Sequence, residues 1–346
     1  LTQAYNKYLQ YDIIVFTTET SWTRRSISTL QSIVHPASFR IVPEFEGMNI
    51  NTKKENDKNL VLKQRLQTIK KDSVVMDALL QRCNTSTIDE LSWRSLCTER
   101  KYPHATSLSY GWQAEFRSLY LWNHKSLTNY THMLWIDSDA FPMIPWITTT
   151  KENNQDPIDY AIRNNLVIFF DNFPRGVCRN REIITKMKLA YDGRYLCDIR
   201  LNTETGQLET VLGTDEEQCE EKKHFEIPLI HGFLHITNLT YYRQQHVMKF
   251  LNILIQSDTN PFSREWDDQI AVTIPAAMDV PHLSWSMREH GFNLSVYHHG
   301  ERDGHLHENI YPQSYRQWFK GTRSNTIAGG NNWKDANDTC YDMITR

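Results

Sequence analysis

The chain has 346 residues, with 38 Lys plus Arg against 41 Asp plus Glu and a formal net charge of −3. That length buries a substantial core without cross-links, the charge balance gives no basic footprint for nucleic acid, and no apolar run approaches the length of a membrane span. The chain begins at Leu1 without a signal-peptide pattern, so a trimmed ectodomain, joined to a membrane only through a removed N-terminal anchor, is the expectation.

In chain order, Tyr11 to Thr18 reads as a buried first strand, Arg24 to Ile33 has helical spacing, and Phe39 to Val42 reads as a second strand after Pro36. This is a β-α-β opening of nucleotide-binding type. The composition of residues 47–60 turns to Asn, Lys and Glu, which predicts a surface insertion. Leu60 to Leu80 is helical in pattern, and a further helix is expected from Tyr110 to Asn123 with Trp112, Phe116, Leu119 and Tyr120 on one face. Leu166 to Phe170 reads as a short buried strand, residues 171–220 as an irregular, cysteine-containing region, and Ile227 to Ile236 as one strand. A helix from Tyr241 to Ile255, a short element from Trp266 to Ala277, and a strand from Phe292 to Tyr297 ending at His298 and His299 complete the series. No repeat or linker marks a boundary, so a single domain over 1–346 is expected.

Between the Tyr110 helix and the Leu166 strand lies the most informative segment, Met133-Leu134-Trp135-Ile136-Asp137-Ser138-Asp139-Ala140-Phe141. An apolar strand ends in two carboxylates. Side chains two apart share a face of a strand, so Asp137 and Asp139 are delivered together where the strand stops, the end at which open α/β sheets collect ligands. Hard oxygen ligands of this kind suit Mg²⁺ or Mn²⁺ shared with phosphate oxygens. The competing reading is a solvated turn with two aspartates.

Compartment follows from two counts. Five N-x-[ST] sequons occur, at Asn84, Asn129, Asn238, Asn293 and Asn337, with six cysteines and no C-x-x-C pair, a pattern that favours disulfides over zinc. Cys83 with Cys97 and Cys178 with Cys197 are close enough in sequence to be partners, although six cysteines permit 15 pairings.

The segments Trp135 to Phe141, Gly232-Phe233-Leu234-His235-Ile236-Thr237-Asn238, Asp267-Asp268-Gln269-Ile270-Ala271 and Tyr297-His298 occur in an order that resembles GT-A-fold glycosyltransferases. The likeness is greatest to the retaining Golgi galactosyl- and xylosyltransferases of plants and fungi, and more distant to the fungal α-1,2-mannosyltransferases. It implies an α/β, Rossmann-like fold of GT-A type with a mixed central sheet flanked by helices. It also implies a lumenal enzyme of the Golgi or ER that moves a hexose from a nucleotide sugar to a glycan acceptor with retention, using Mn²⁺ or Mg²⁺. GDP-mannose is the first expectation for the donor, then UDP-galactose or UDP-xylose.

Carried over by motif, Asp137, Asp139 and His298 are the expected metal ligands, with Asp139 the direct one of the pair and His299 the alternate to His298. Thr17, Thr18 and Glu19 end the first strand where such enzymes seat base and ribose. Arg117 is expected to reach the phosphates or order the donor, since cationic groups stabilise a diphosphate leaving group, and Gly232 to let backbone approach the sugar. Asp267, Asp268 and Gln269 match the acidic motif beside the transferred sugar, though an aspartate there also caps a helix. The Gly232-Phe233-Leu234 segment lacks the acidic residue that the mannosyltransferases carry, which directs the expectation to front-face transfer assisted by the donor phosphate. Two other classes compete: a non-catalytic carbohydrate-binding protein that kept the fold, and a zinc hydrolase built on His298, His299, His305 and His307, for which no H-E-x-x-H spacing is present.

Overall fold

The computed structural model describes residues 6, 9–17, 23–44, 114, 116–137, 140–142, 156–171, 173, 177–178, 181–214, 219, 226–256, 268–292, 294, 296–298 and 301–302. Strand β1 (Ile13–Thr17), helix α1 (Arg24–Val34) and strand β2 (Phe39–Pro43) form the expected β-α-β unit, with β1 and β2 parallel and Ile13 opposite Phe39. Thr23 starts α1 by accepting a hydrogen bond from the Ser26 amide, which satisfies one of the donors that a helix start leaves unpaired.

The central sheet contains β3 (His132–Ile136), β5 (Ile168–Phe170), β10 (Leu234–Asn238) and β11 (Ser284–Ser286) in the order β11-β5-β10-β3. β10 is antiparallel to both β3 and β5, while β11 is parallel to β5. Alternation distributes the side chains to two cores. Ile168 and Phe170 join one apolar cluster together with Met133 and Trp135, whereas Phe169, Leu234 and Ile236 join the other with Leu134 and Ile136. β5, covered on both faces, is wholly buried and reads as a continuous apolar run, while β3, at the end of the sheet order, is half-buried throughout, where the sequence suggested a buried strand.

Three short strands complete the site region: β4 (Phe141–Pro142) pairs antiparallel with β12 (Val296–His298), which also pairs with β13 (Glu301–Arg302). α2 (Pro157–Arg163) starts at Asp156, whose carboxylate accepts from the amides of Ile158 and Asp159, with Pro157 at the first helical position. α4 (Leu239–Tyr242), α5 (Gln245–Gln256) and α6 (Asp268–Asp279) cover the larger core. α6 is apolar almost all round and buried. Around its interior Pro275, Tyr241 and Tyr242 donate their hydroxyls to the carbonyls of Pro275 and Val272.

Several expectations are corrected. The region expected to be irregular contains β6 (Val177–Cys178), α3 (Arg181–Ala190) and a hairpin of β7 (Tyr195–Leu201) with β8 (Leu208–Gly213). The physical signals were present: Ile183, Met187 and Ala190 recur at helical spacing and are buried, and Asn202 accepts from the amides of Glu204 and Thr205 in the turn, with Gly206 at φ +69°. Cys197 is bonded to Cys219, with Cα atoms 5.2 Å apart, so the Cys178–Cys197 pairing is wrong; Cys83 and Cys97 lie outside the described residues. The single strand expected at Ile227 to Ile236 divides into β9 (Glu226–Ile227), paired with β6, and β10. The Tyr241 helix divides at Arg243. Within the helix expected over Tyr110 to Asn123, the chain forms a π-helical turn at Phe116–Tyr120; Phe116 and Leu119 are buried there as expected. The insertion at 47–60 and the helix at 60–80 lie outside the described residues.

Candidate functional site

The first three strands are aligned at both ends. At their starts, the Tyr130 hydroxyl donates to Asp12 and accepts from Arg40. At their ends, the Glu44 amide donates to the Thr17 carbonyl at 3.1 Å, and the Phe16 ring meets Phe116 with centroids 5.3 Å apart. The C-terminal ends of β1, β2 and β3 therefore gather around the π-helical turn that carries Arg117.

Arg117 joins four parts of the chain. Its guanidinium is 3.1 Å from the Asp137 carboxylate, pairs with the Asp268 carboxylate, donates to the Gly232 carbonyl and lies 4.5 Å from the Trp135 ring centroid. Trp135 and Asp137 share a face, and the indole N–H donates to Asp137 Oδ1 at 2.7 Å. The antiparallel register that sets Ile136 opposite Leu234 brings Gly232 and Phe233 beside the strand end, where the Asp137 amide donates to the Phe233 carbonyl at 3.0 Å. Asp268 and Gln269 arrive from the N-terminus of α6. A Cβ on Gly232 would stand 2.8 Å from Asp268 Oδ2 and 3.1 Å from Gln269 Cγ, so the absence of a side chain there is what permits the close packing of α6 against the strand end.

Burial governs the electrostatics. Asp268 is only 4 % exposed; burial raises its carboxyl above the usual range, Arg117 opposes that shift and Asp137 adds to it. Glu44, 5 % exposed at the end of β2, is pushed up to about 7 by burial against the opposing pull of Arg117, and its Oε2 has no hydrogen-bond partner among the described residues. His235, on β10 opposite Trp135, is held down at about 3, first by burial and then by Arg117, with Asp137 opposing; its imidazole is neutral. Three buried or half-buried acids and one histidine thus surround a single guanidinium, a cluster of charge that desolvation makes expensive unless it is paired.

Of the residues singled out in the sequence, the fold brings together Arg117, Asp137, Gly232, Asp268 and Gln269, and places Thr17 at the adjoining end of β1. Arg117 pairs with Asp137 and Asp268 and donates to the Gly232 carbonyl, an arrangement that braces the strand end. Thr18, Glu19, Asp139, Asp267 and His299 lie outside the described residues, as do His305 and His307. His298 ends β12, and continuing the register of Tyr297 opposite Phe141 by one residue sets its backbone opposite Ala140, immediately after Asp139. Among the described residues no group of three metal-capable side chains is present; Asp137 supplies a hard carboxylate of the type Mn²⁺ and Mg²⁺ accept. Sequence reasoning missed Glu44 and undervalued His235. Glu44 follows β2 directly, so its position at a strand end was the available signal.

No protein-family model and no curated protein matches the chain. Among solved structures, it is similar to the mannosyltransferase Ktr4p from S. cerevisiae at 13 % identity and a TM-score of 0.52, over 86 % of this chain and 64 % of that one. A structure of Ktr4p in complex with GDP aligns at 12 % identity with a TM-score of 0.48, over 86 % of this chain and 65 % of that chain. The core-mannan synthase A (CmsA/Ktr4) from Aspergillus fumigatus, in an Mn/GDP form, aligns at 13 % identity with a TM-score of 0.49, over 86 % and 68 %. The chain spans about two thirds of the length of these structures. Strands gathered at their C-terminal ends, a mixed central sheet and the likeness to the Ktr4p structure at a TM-score of 0.52 together identify the fold as α/β of GT-A type.

Proposed function

We propose that the chain is one GT-A catalytic domain of a metal-dependent glycosyltransferase that moves a hexose from a nucleotide-sugar donor to a glycan acceptor in the lumen of the Golgi or ER. The observation that carries this reading is the braced strand end: Asp137, fixed by Arg117 and the Trp135 indole, beside Asp268, Gly232 and the ends of β1 and β2. A solvated turn does not need a buried guanidinium to hold its aspartate. The mannosyltransferase name of the structural neighbour supports mannose as the transferred sugar and GDP-mannose as the first donor to test, with UDP-galactose and UDP-xylose next.

Asp137 and Asp139, with His298, would hold Mn²⁺ or Mg²⁺, which when bound neutralises charge on the departing diphosphate. Oδ1 of Asp137 is engaged by Arg117 and Trp135, which favours Asp139 as the more direct ligand of the pair. Thr17, Thr18 and Glu19, at the end of β1, seat the base and ribose. Gly232 lets Asp268 and Gln269 pack close against the strand end. Asp268 pairs with Arg117 and holds that residue in place, and Asp267, Asp268 and Gln269 together are the acidic motif we assign to the transferred sugar. No carboxylate occupies the Gly232-Phe233-Leu234 segment to serve as a nucleophile, so transfer with retention proceeds on one face of the sugar with the donor phosphate taking the acceptor proton. Removing a preorganised charge-stabilising group usually slows such a step by about 10²–10³. Asp139→Ala is therefore expected to lower sugar transfer by at least about that factor while the melting temperature without nucleotide is retained; transfer at the wild-type rate would refute the metal assignment.

A further inference from the structure

Two of the five sequons fall on described residues, and their surroundings differ. Asn129-Tyr130-Thr131 occupies the turn that leads into β3, with Asn129 and Thr131 exposed. Tyr130 between them is anchored to Asp12 and Arg40, which fixes the turn while the Asn129 amide keeps no hydrogen-bond partner among the described residues. Asn238-Leu239-Thr240 is different. Asn238 is half-buried at the end of β10, its side chain caps α4 by accepting from the Tyr241 amide at 3.1 Å, its own amide donates to the Val167 carbonyl at 2.9 Å, and Leu239 is wholly buried.

We propose that Asn129 is an N-glycan attachment site of the native protein and that Asn238 is not. The proposal rests on the lumenal reading above, because the donor, a lipid-diphosphate-linked oligosaccharide, is met only in the secretory pathway. In the transfer, Asn129 Nδ2 forms a C–N bond to the anomeric carbon, the C–O bond to the diphosphate breaks, the lipid diphosphate leaves with the electron pair, and the Nδ2 proton passes to a base of the transferring enzyme. An attached glycan is compatible with the folded turn, since a polar chain of sugars leaves Asn129 directly into water. At Asn238 the same chain would start from a capping side chain wedged between a strand end and a helix start. The position also matters for function: Asn129 precedes β3 and Asp137 follows it, and a strand of 5 residues rises roughly 16 Å. The glycan stands at the starts of the strands and leaves their ligand-binding ends open.

The test is glycopeptide mass spectrometry on the chain secreted from eukaryotic cells behind a heterologous signal, alongside protein isolated from its own cells. Asn129 is expected to be occupied in most secreted molecules and Asn238 in few or none. Asn129→Gln is expected to remove one glycan increment with the melting temperature and the nucleotide response unchanged. A folded, secreted protein with Asn129 bare, or with Asn238 occupied as often, overturns the site assignment. If Asn129 is occupied on forced secretion but every sequon is bare in protein from its own cells, the proposal falls through its lumenal premise, and the failure is then of localisation and not of geometry.

Discussion

Two arginines stand at opposite ends of the β3–β10 pair and are satisfied in different ways. Arg243, below the strand starts, donates to three backbone carbonyls, those of Trp122, Tyr130 and Leu127, at 2.7, 3.1 and 2.7 Å, and burial lowers its pKa. Arg117, at the strand ends, faces the carboxylates of Asp137 and Asp268 and stacks on Trp135. The first is a staple that ties loops together with dipoles. The second balances charges that the fold alone has no reason to bury. A chain that needed only stability could fill the Arg117 site with apolar groups, because a buried ion pair seldom outperforms a well-packed hydrophobic one. Retaining it marks the end of β3 as the place where position of a carboxylate matters.

The largest expected effect breaks the pairing at the strand ends. Arg117→Met strands Asp137 and Asp268 without a counter-charge, and loss of one partner of a buried pair costs about 3–5 kcal/mol; urea unfolding should show that loss together with a weakened nucleotide response. A change below about 1 kcal/mol would mean that the two carboxylates take up their protons or water without penalty, contrary to the brace.

Glu44 sharpens the comparison through pH. Its carboxyl is raised from 4.5 to about 7 in the folded protein, so its contribution is fully present below the unfolded value and is lost as pH rises through the folded one. The wild type should lose on the order of 3 kcal/mol between roughly pH 4.5 and 7 from this group, and Glu44→Gln should flatten that part of the stability profile. A profile identical in the two proteins would show that Glu44 does not titrate in this window. The smallest effect is expected at the opposite end. Arg243→Lys loses part of a three-carbonyl fork, about 1–2 kcal/mol, and because its partners are neutral it should leave the nucleotide response unchanged. A loss of that response would erase the distinction between the two arginines.

Much of this division was legible in the sequence. Continuous apolar runs at β3 and β5 announced strands, of which β5 is buried and β3 half-buried, and the carboxylates after Ile136 marked the strand end to which Arg117 is paired. What escaped was set by tertiary pairing. Arg117 and Asp268 lie far apart in the chain, and only the register of β3 with β10 shows that both converge on Gly232. The turn at Phe116 is π-helical, a local geometry that apolar periodicity does not distinguish from an α-helix. The β7–β8 hairpin was hidden by its polar, threonine-rich turn, and the Cys197–Cys219 bond by the fact that spacing alone does not choose among partners. Glu44 carried no motif; its significance comes from burial beside Arg117.

The most direct measurement is thermal unfolding of the wild type against GDP- and UDP-sugars, with Mn²⁺ and with EDTA. Ligand at a hundred times its dissociation constant stabilises the folded state by about 2.7 kcal/mol, so a rise of several degrees is expected with Mn²⁺ and GDP-mannose, absent with EDTA and absent in Asp139→Ala. No rise with any nucleotide sugar in either condition would contradict the assignment of the braced strand end as a donor site and leave a carbohydrate-binding protein with this fold as the better account.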